Sequence, residues 1–116
     1  MTESELIPSV RDRFVHILSA VDTVETEFSE ISVAELTSNR ASCLALERLL
    51  EIIGVASDHI PAEIKASETM VDWQCLSDIS LRLENVRERV EPRVLMSVVK
   101  EKLTPLKVCA ERRIQA

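Results

Sequence analysis

Residues 44–56 read Leu44-Ala45-Leu46-Glu47-Arg48-Leu49-Leu50-Glu51-Ile52-Ile53-Gly54-Val55-Ala56. Leu46, Leu49, Leu50, Ile52, Ile53 and Val55 cover more than one side of a helix. A helix apolar over so much of its circumference is buried or meets two neighbours. The pattern predicts a helix over residues 38–59, closed by Pro61, which disfavours helical geometry at Ile60.

The flanking segments repeat the theme. Upstream, Val10, Phe14, Ile17, Val21, Val24 and Phe28 fall at steps of three and four, which predicts a helix over residues 8–28 with Pro8 at its start. Residues 29–37 read as a connector with a helical turn around residues 33–36. Downstream, residues 61–70 read as a loop with a turn at residues 62–65. Trp73, Leu76, Ile79, Leu83, Val86 and Val90 then predict a third long helix over residues 72–90, with Asp72 as its N-cap. A fourth starts at Glu91-Pro92 and buries Val94, Leu95, Val98, Val99, Leu103, Leu106 and Cys109. Pro105 is expected to kink or split it. The fold expected is all-α, an antiparallel four-to-five-helix bundle forming one domain over residues 1–116.

Composition narrows the function. Among 116 residues there is one glycine, no tyrosine and a net charge of −6. One glycine excludes phosphate-cradling loops and dinucleotide fingerprints. The acidic balance argues against wide contact with nucleic acid, which needs a basic surface. Cys43, Cys75 and Cys109 show no metal-ligand spacing and read as reduced thiols of a cytoplasmic protein. Neither a leader nor a membrane span is expected. No cofactor and no metal are expected either. His16 and His59 each stand alone in sequence and read as structural or solvated, since acid–base work needs a placed partner. Glu25 and Glu27, two apart, do not share a helix face. Between residues 82 and 93 lie four arginines and three glutamates. A solvated, ion-paired face, with Glu84 against Arg87, is the default. A phosphate site on Arg82 or Arg87 is the sharper alternative.

Two stretches in order resemble the HepT-like family of the HEPN superfamily. The first is residues 45–56, which the family writes as Ala, apolar, any, Arg, then an apolar helix ending Ile-Gly-Glu-Ala. Val55 stands where the family has glutamate. Ile60-Pro61-Ala62-Glu63-Ile64 is similar to the family's exit loop, and Val71-Asp72-Trp73 to its Ile-x-Trp helix start. The second stretch, residues 95–106, resembles the closing helix. The resemblance spans roughly residues 10–110 and needs no gap between Trp73 and Leu106. It implies a small helical ribonuclease that forms homodimers. It also implies a nucleotidyltransferase antitoxin that adds nucleotides to a tyrosine.

The family's catalytic motif, Arg-Asn-x3-His-x-Tyr, falls on Ser80, Leu81, Asn85 and Arg87, and none of the four matches. No histidine follows His59. An asparagine amide is no base near neutral pH and arginine stays protonated. Losing general acid–base help costs about 10²–10⁴-fold in rate. No catalytic residue is therefore assigned. The preferred reading is a non-catalytic module that pairs with itself and with a nucleotidyltransferase-like protein, RNA not being the expected partner. One alternative is a ribonuclease toxin with a reworked site, Arg82 as clamp and Glu84 as base. Another is a structural partner in an unrelated process. Homodimerisation is also expected from the two-sided apolar surface of the last helix, where Val94 and Met96 lie beside Leu95, Val98 and Val99.

Overall fold

A computed structural model describes residues 8–85 and 89–115. Six helices follow in order among them: α1 (Val10–Phe28), α2 (Val33–Ser38), α3 (Arg40–Asp58), α4 (Ala62–Ser67), α5 (Trp73–Glu84) and α6 (Pro92–Gln115), with no strand. Four are long and two are short, so the all-α bundle stands, with two minor helices in the links.

Side chains close the helix starts. Ser9 and Asp12 form a reciprocal capping box at α1. Ser32 caps α2, Asn39 caps α3 and Asp72 caps α5, each oxygen accepting from a backbone N–H three residues on. Each satisfies an otherwise orphaned donor.

The chain runs back and forth. Arg11 near the start of α1 reaches the Ile114 carbonyl, and Glu25 near its end meets Lys107, so α1 and α6 are antiparallel. Gly54 of α3 lies against Leu76 and Ser80 of α5, while Glu51 and Glu84 line one cleft further along, which makes that pair antiparallel too. α3 packs against both α1 and α5, as a helix apolar on two sides must. Phe14, Ile17, Leu36, Leu46, Leu50, Ile53, Leu95 and Leu106 are fully or almost fully buried in one core. Each such side chain contributes about 1.5–3 kcal/mol on leaving water.

Three expectations need correction. The third long helix stops at Glu84 and not at residue 90. Asn85 is its C-cap, in extended geometry, with its N–H on the Arg82 carbonyl. Val90 is still buried, but on a non-helical stretch. Burial met the apolar period without the helix. Val86 lies outside the described residues. Secondly, residues 62–67 are helical where a turn within a loop was expected. Thirdly, α6 is not split at Pro105 but continues through it as one helix. The carbonyl that loses its partner belongs to Glu101, an exposed residue, so water can replace the missing N–H.

The apolar surface of α6 is also spent differently. Leu95, Met96 and Val98 are buried within one chain, and Val94 and Val99 are half-buried. Val108, further along the same helix, is 54% exposed, so part of its apolar surface still faces outward.

Candidate functional site

Two of the four positions, Ser80 and Leu81, lie on the last two turns of α5. Ser80 is 1% exposed. Its hydroxyl donates to the Ser77 carbonyl at 2.9 Å. It sits where α5 crosses α3 at Gly54. A Cβ built on Gly54 would lie 2.6 Å from the Leu76 carbonyl oxygen and 2.7 Å from the Ser80 hydroxyl oxygen. The side chain at position 80 therefore points into a closed seam between two helices. Leu81, the next residue, is 58% exposed. Asn85 is exposed beyond the end of the helix. Arg87 lies outside the described residues, as does the Glu84–Arg87 pairing.

Arg82 and Glu84 do not converge. Arg82 lines a groove between α5 and α6, together with Asp72, Cys75 and Asp78. Glu84 opens onto a different cleft, beside His16, Arg13 and Arg48. Two residues along a helix are about 200° apart around its axis, which is why they face opposite ways. A clamp-and-base pair made of these two is not assembled here.

The histidines separate in role. His59 is the C-cap residue of α3, and its Nδ1 lies 2.8 Å from the Val55 carbonyl oxygen, so it closes its own helix end. His16 is exposed on α1 and shares its cleft with Arg13, Arg48, Glu51 and Glu84. Sequence reasoning missed this gathering because its members come from three helices: i,i+3 spacing links only Arg13 with His16 and Arg48 with Glu51.

The thiols are held protonated. Burial pushes the Cys109 thiol up to about 11, with the Glu68 carboxylate adding to it. Burial also raises Cys43, helped by Glu47, and raises Cys75, helped by Asp72. None offers an activated nucleophile, which needs a depressed pKa. Among the described residues, no group of three or more His, Cys, Asp and Glu side chains is placed to hold a metal ion. No described helix is long and apolar enough to cross a membrane.

The link before α5 is tied to the end of α6. Glu68, 6% exposed, takes both terminal nitrogens of Arg112 at 2.9 Å and Nε of Arg113 at 2.7 Å. The Arg112 hydrogen bonds are the main reason its carboxyl titrates below the usual range. Lys102 reaches Asp72 at 3.0 Å, and that hydrogen bond, with the Cys75 N–H, lowers the Asp72 carboxyl. Together these contacts fix where α5 begins, and so where Ser80 and Asn85 end up.

No family model matches the chain, and no solved structure matches it. A curated relative does: a probable ribonuclease HepT of Thermococcus cleftensis is 30% identical over 99 residues, covering 85% of this chain and 90% of the relative. The alignment takes in nearly the whole bundle, and at that identity the protein belongs to the HepT-like family.

Proposed function

We propose that this protein is a HepT-like module of toxin–antitoxin type that does not cleave RNA through the family motif. It would work as a homodimer in the cytoplasm and act by binding, with a nucleotidyltransferase-like protein as its partner. One observation carries the reading. Counting from Trp73 puts the motif arginine at Ser80, and Ser80 is sealed between α3 and α5 against Gly54. A phosphate clamp must reach solvent, and nothing at that position does. The absence of histidine after His59 and of tyrosine anywhere supports it, since neither the motif base nor the motif's modified side chain is available. The three free cysteines suit a reducing compartment.

Purified protein is expected to leave RNA intact above a contamination baseline, and its expression is expected not to arrest growth. RNA cleavage by the purified protein would overturn the reading, and cleavage unchanged by Asn85→Ala would point to a new site. Co-expression with a nucleotidyltransferase is expected to give a complex without a nucleotide-sized mass shift. Light scattering at micromolar concentration is expected to report a dimer.

The reworked-ribonuclease alternative gains nothing from Arg82 and Glu84, which open onto separate clefts.

A further inference from the structure

A cleft of about 400 Å³ lies where α1, α3 and the end of α5 meet. That is within the size range of small-molecule sites, about 300–1,000 Å³. α1 supplies Arg13 and His16, α3 supplies Arg48 and Glu51, and α5 supplies Glu84. Ile52 and Val55 give it an apolar wall. Ser80, Leu81 and Asn85, the motif positions among the described residues, do not line it.

We infer that this cleft binds a ribose phosphate, either as a free nucleotide or as the 5′ end of an RNA strand. The argument is one of mixed chemistry. Two guanidiniums from two different helices can take a phosphate from two directions, with paired N–H donors that match its oxygens. Imidazole adds a further donor. The two carboxylates only accept hydrogen bonds, so they repel a bare anion but suit sugar hydroxyls. Two positive and two negative side chains nearly cancel, so inorganic phosphate alone gains little here. A ligand that carries both an anionic group and a diol within one short molecule satisfies all of them. The apolar wall then takes the face of the base.

Arg48 is available for this. Its ion pair with Glu51 is loose, at 3.5 Å, and its side chain is 68% exposed. Such a surface pair is cheap to rearrange. Arg13, half-buried on α1, is already confined near the cleft and loses less freedom on binding.

The inference stands apart from the proposed function: a module that cleaves no RNA is equally consistent with an empty or a filled cleft. The test is an NMR titration of labelled protein with four probes: adenosine 5′-monophosphate, adenosine, inorganic phosphate and a 5′-phosphorylated pentauridylate. The expected result is binding of the monophosphate, the pentauridylate or both. Amide shifts should centre on residues 13–16 and 48–56. Adenosine and inorganic phosphate should each bind at least about tenfold more weakly. Arg13→Gln and Arg48→Gln should each weaken binding by about tenfold, the usual loss for one charge-assisted hydrogen bond, with helicity unchanged. Lys100→Gln, on the far helix, should leave binding unchanged. Binding of the monophosphate alone makes the source a free nucleotide, and binding of the pentauridylate alone makes it an RNA end. The inference is overturned if neither binds, if the shifts map elsewhere, or if both arginine variants bind as well as the original protein. RNA cleavage in the separate assay would overturn the proposed function without touching this result.

Discussion

Gly54 of α3 and Ser80 of α5 meet so closely that no Cβ fits between the two helices: one built on Gly54 would sit 2.7 Å from the Ser80 hydroxyl oxygen and 2.6 Å from the Leu76 carbonyl oxygen. Glycine inside a helix costs about 1 kcal/mol relative to alanine. Close approach is what offsets that cost here. The contact also buries Ser80, the position that the count from Trp73 gives to the motif arginine.

Gly54→Ala is therefore expected to destabilise the protein despite its better helix propensity. The obstacle includes a backbone carbonyl, which cannot swing away. Overpacking of a closed seam costs about 1–3 kcal/mol, and the propensity gain of about 1 kcal/mol offsets only part of it. Denaturant unfolding should show a lower midpoint. Adding Ser80→Gly should recover part of the loss, because the Leu76 carbonyl remains in the way.

Rebuilding the motif should fail at its first residue. Leu81 is 58% exposed, so Leu81→Asn should change stability by less than about 0.5 kcal/mol, as surface substitutions do, and Asn85→His, at the exposed C-cap of α5, should cost less than Ser80→Arg. Ser80→Arg has to force a charged side chain into the α3–α5 seam and should cost at least about 2 kcal/mol. Thermal unfolding of the three single variants checks the ranking. A Ser80→Arg protein as stable as the original would mean that α5 can roll to present position 80 to solvent.

The acid side of the stability profile should be set largely by Glu68 and Asp72. Both carboxyls titrate below their ordinary range, Glu68 chiefly through Arg112 and Asp72 chiefly through Lys102. The unfolded chain thus binds protons at a higher pH than the folded one. The stabilisation is fully present above the unfolded values, near pH 4, and is lost as pH falls through the lower folded values. Glu68→Gln should flatten that part of the curve and leave Arg112 and Arg113 without a counter-charge, a loss of about 1–3 kcal/mol at neutral pH. Unfolding midpoints measured between pH 2 and pH 7 (a range of about five units spanning both ordinary values) test both points.

Native thiol labelling should proceed in a fixed order. Cys75 is half-buried, whereas Cys43 is 7% exposed and Cys109 is 0% exposed. Reaction needs both access and thiolate. Cys75 should react first, and Cys109 only when the protein unfolds. Mass spectrometry after a timed alkylation distinguishes the three sites.

Helix identity was legible because period and capping agree. The stripe from Val10 to Phe28 became α1, and Asp72 caps α5 as its place before Trp73 suggested. Where only one of these signals was present, the reading slipped. Nothing local marked the end of α5. Leu83 and Val90 keep a helical period, yet Val90 is buried without being helical. Periodicity records that a side chain is hidden, not how the backbone gets it there. Pro105 shows the reverse: its local rule favours a break, and packing of Leu103, Leu106 and Cys109 on either side holds one continuous helix.

The amino-acid sequence by itself determined the class of fold and the family resemblance, because each depends on residue type and order along one chain. What only the tertiary structure decided is which of those positions can reach a ligand. Ser80 and Leu81 are neighbours in sequence, but one is sealed against Gly54 and the other faces solvent. Arg82 and Glu84 belong to one charged run, yet open onto two clefts. His16, one helical turn after Arg13, gains Arg48, Glu51 and Glu84 as neighbours only when three helices are brought together. Side-chain direction is set by rotation about each helix axis and by the angle at which helices cross, and neither is written in local spacing.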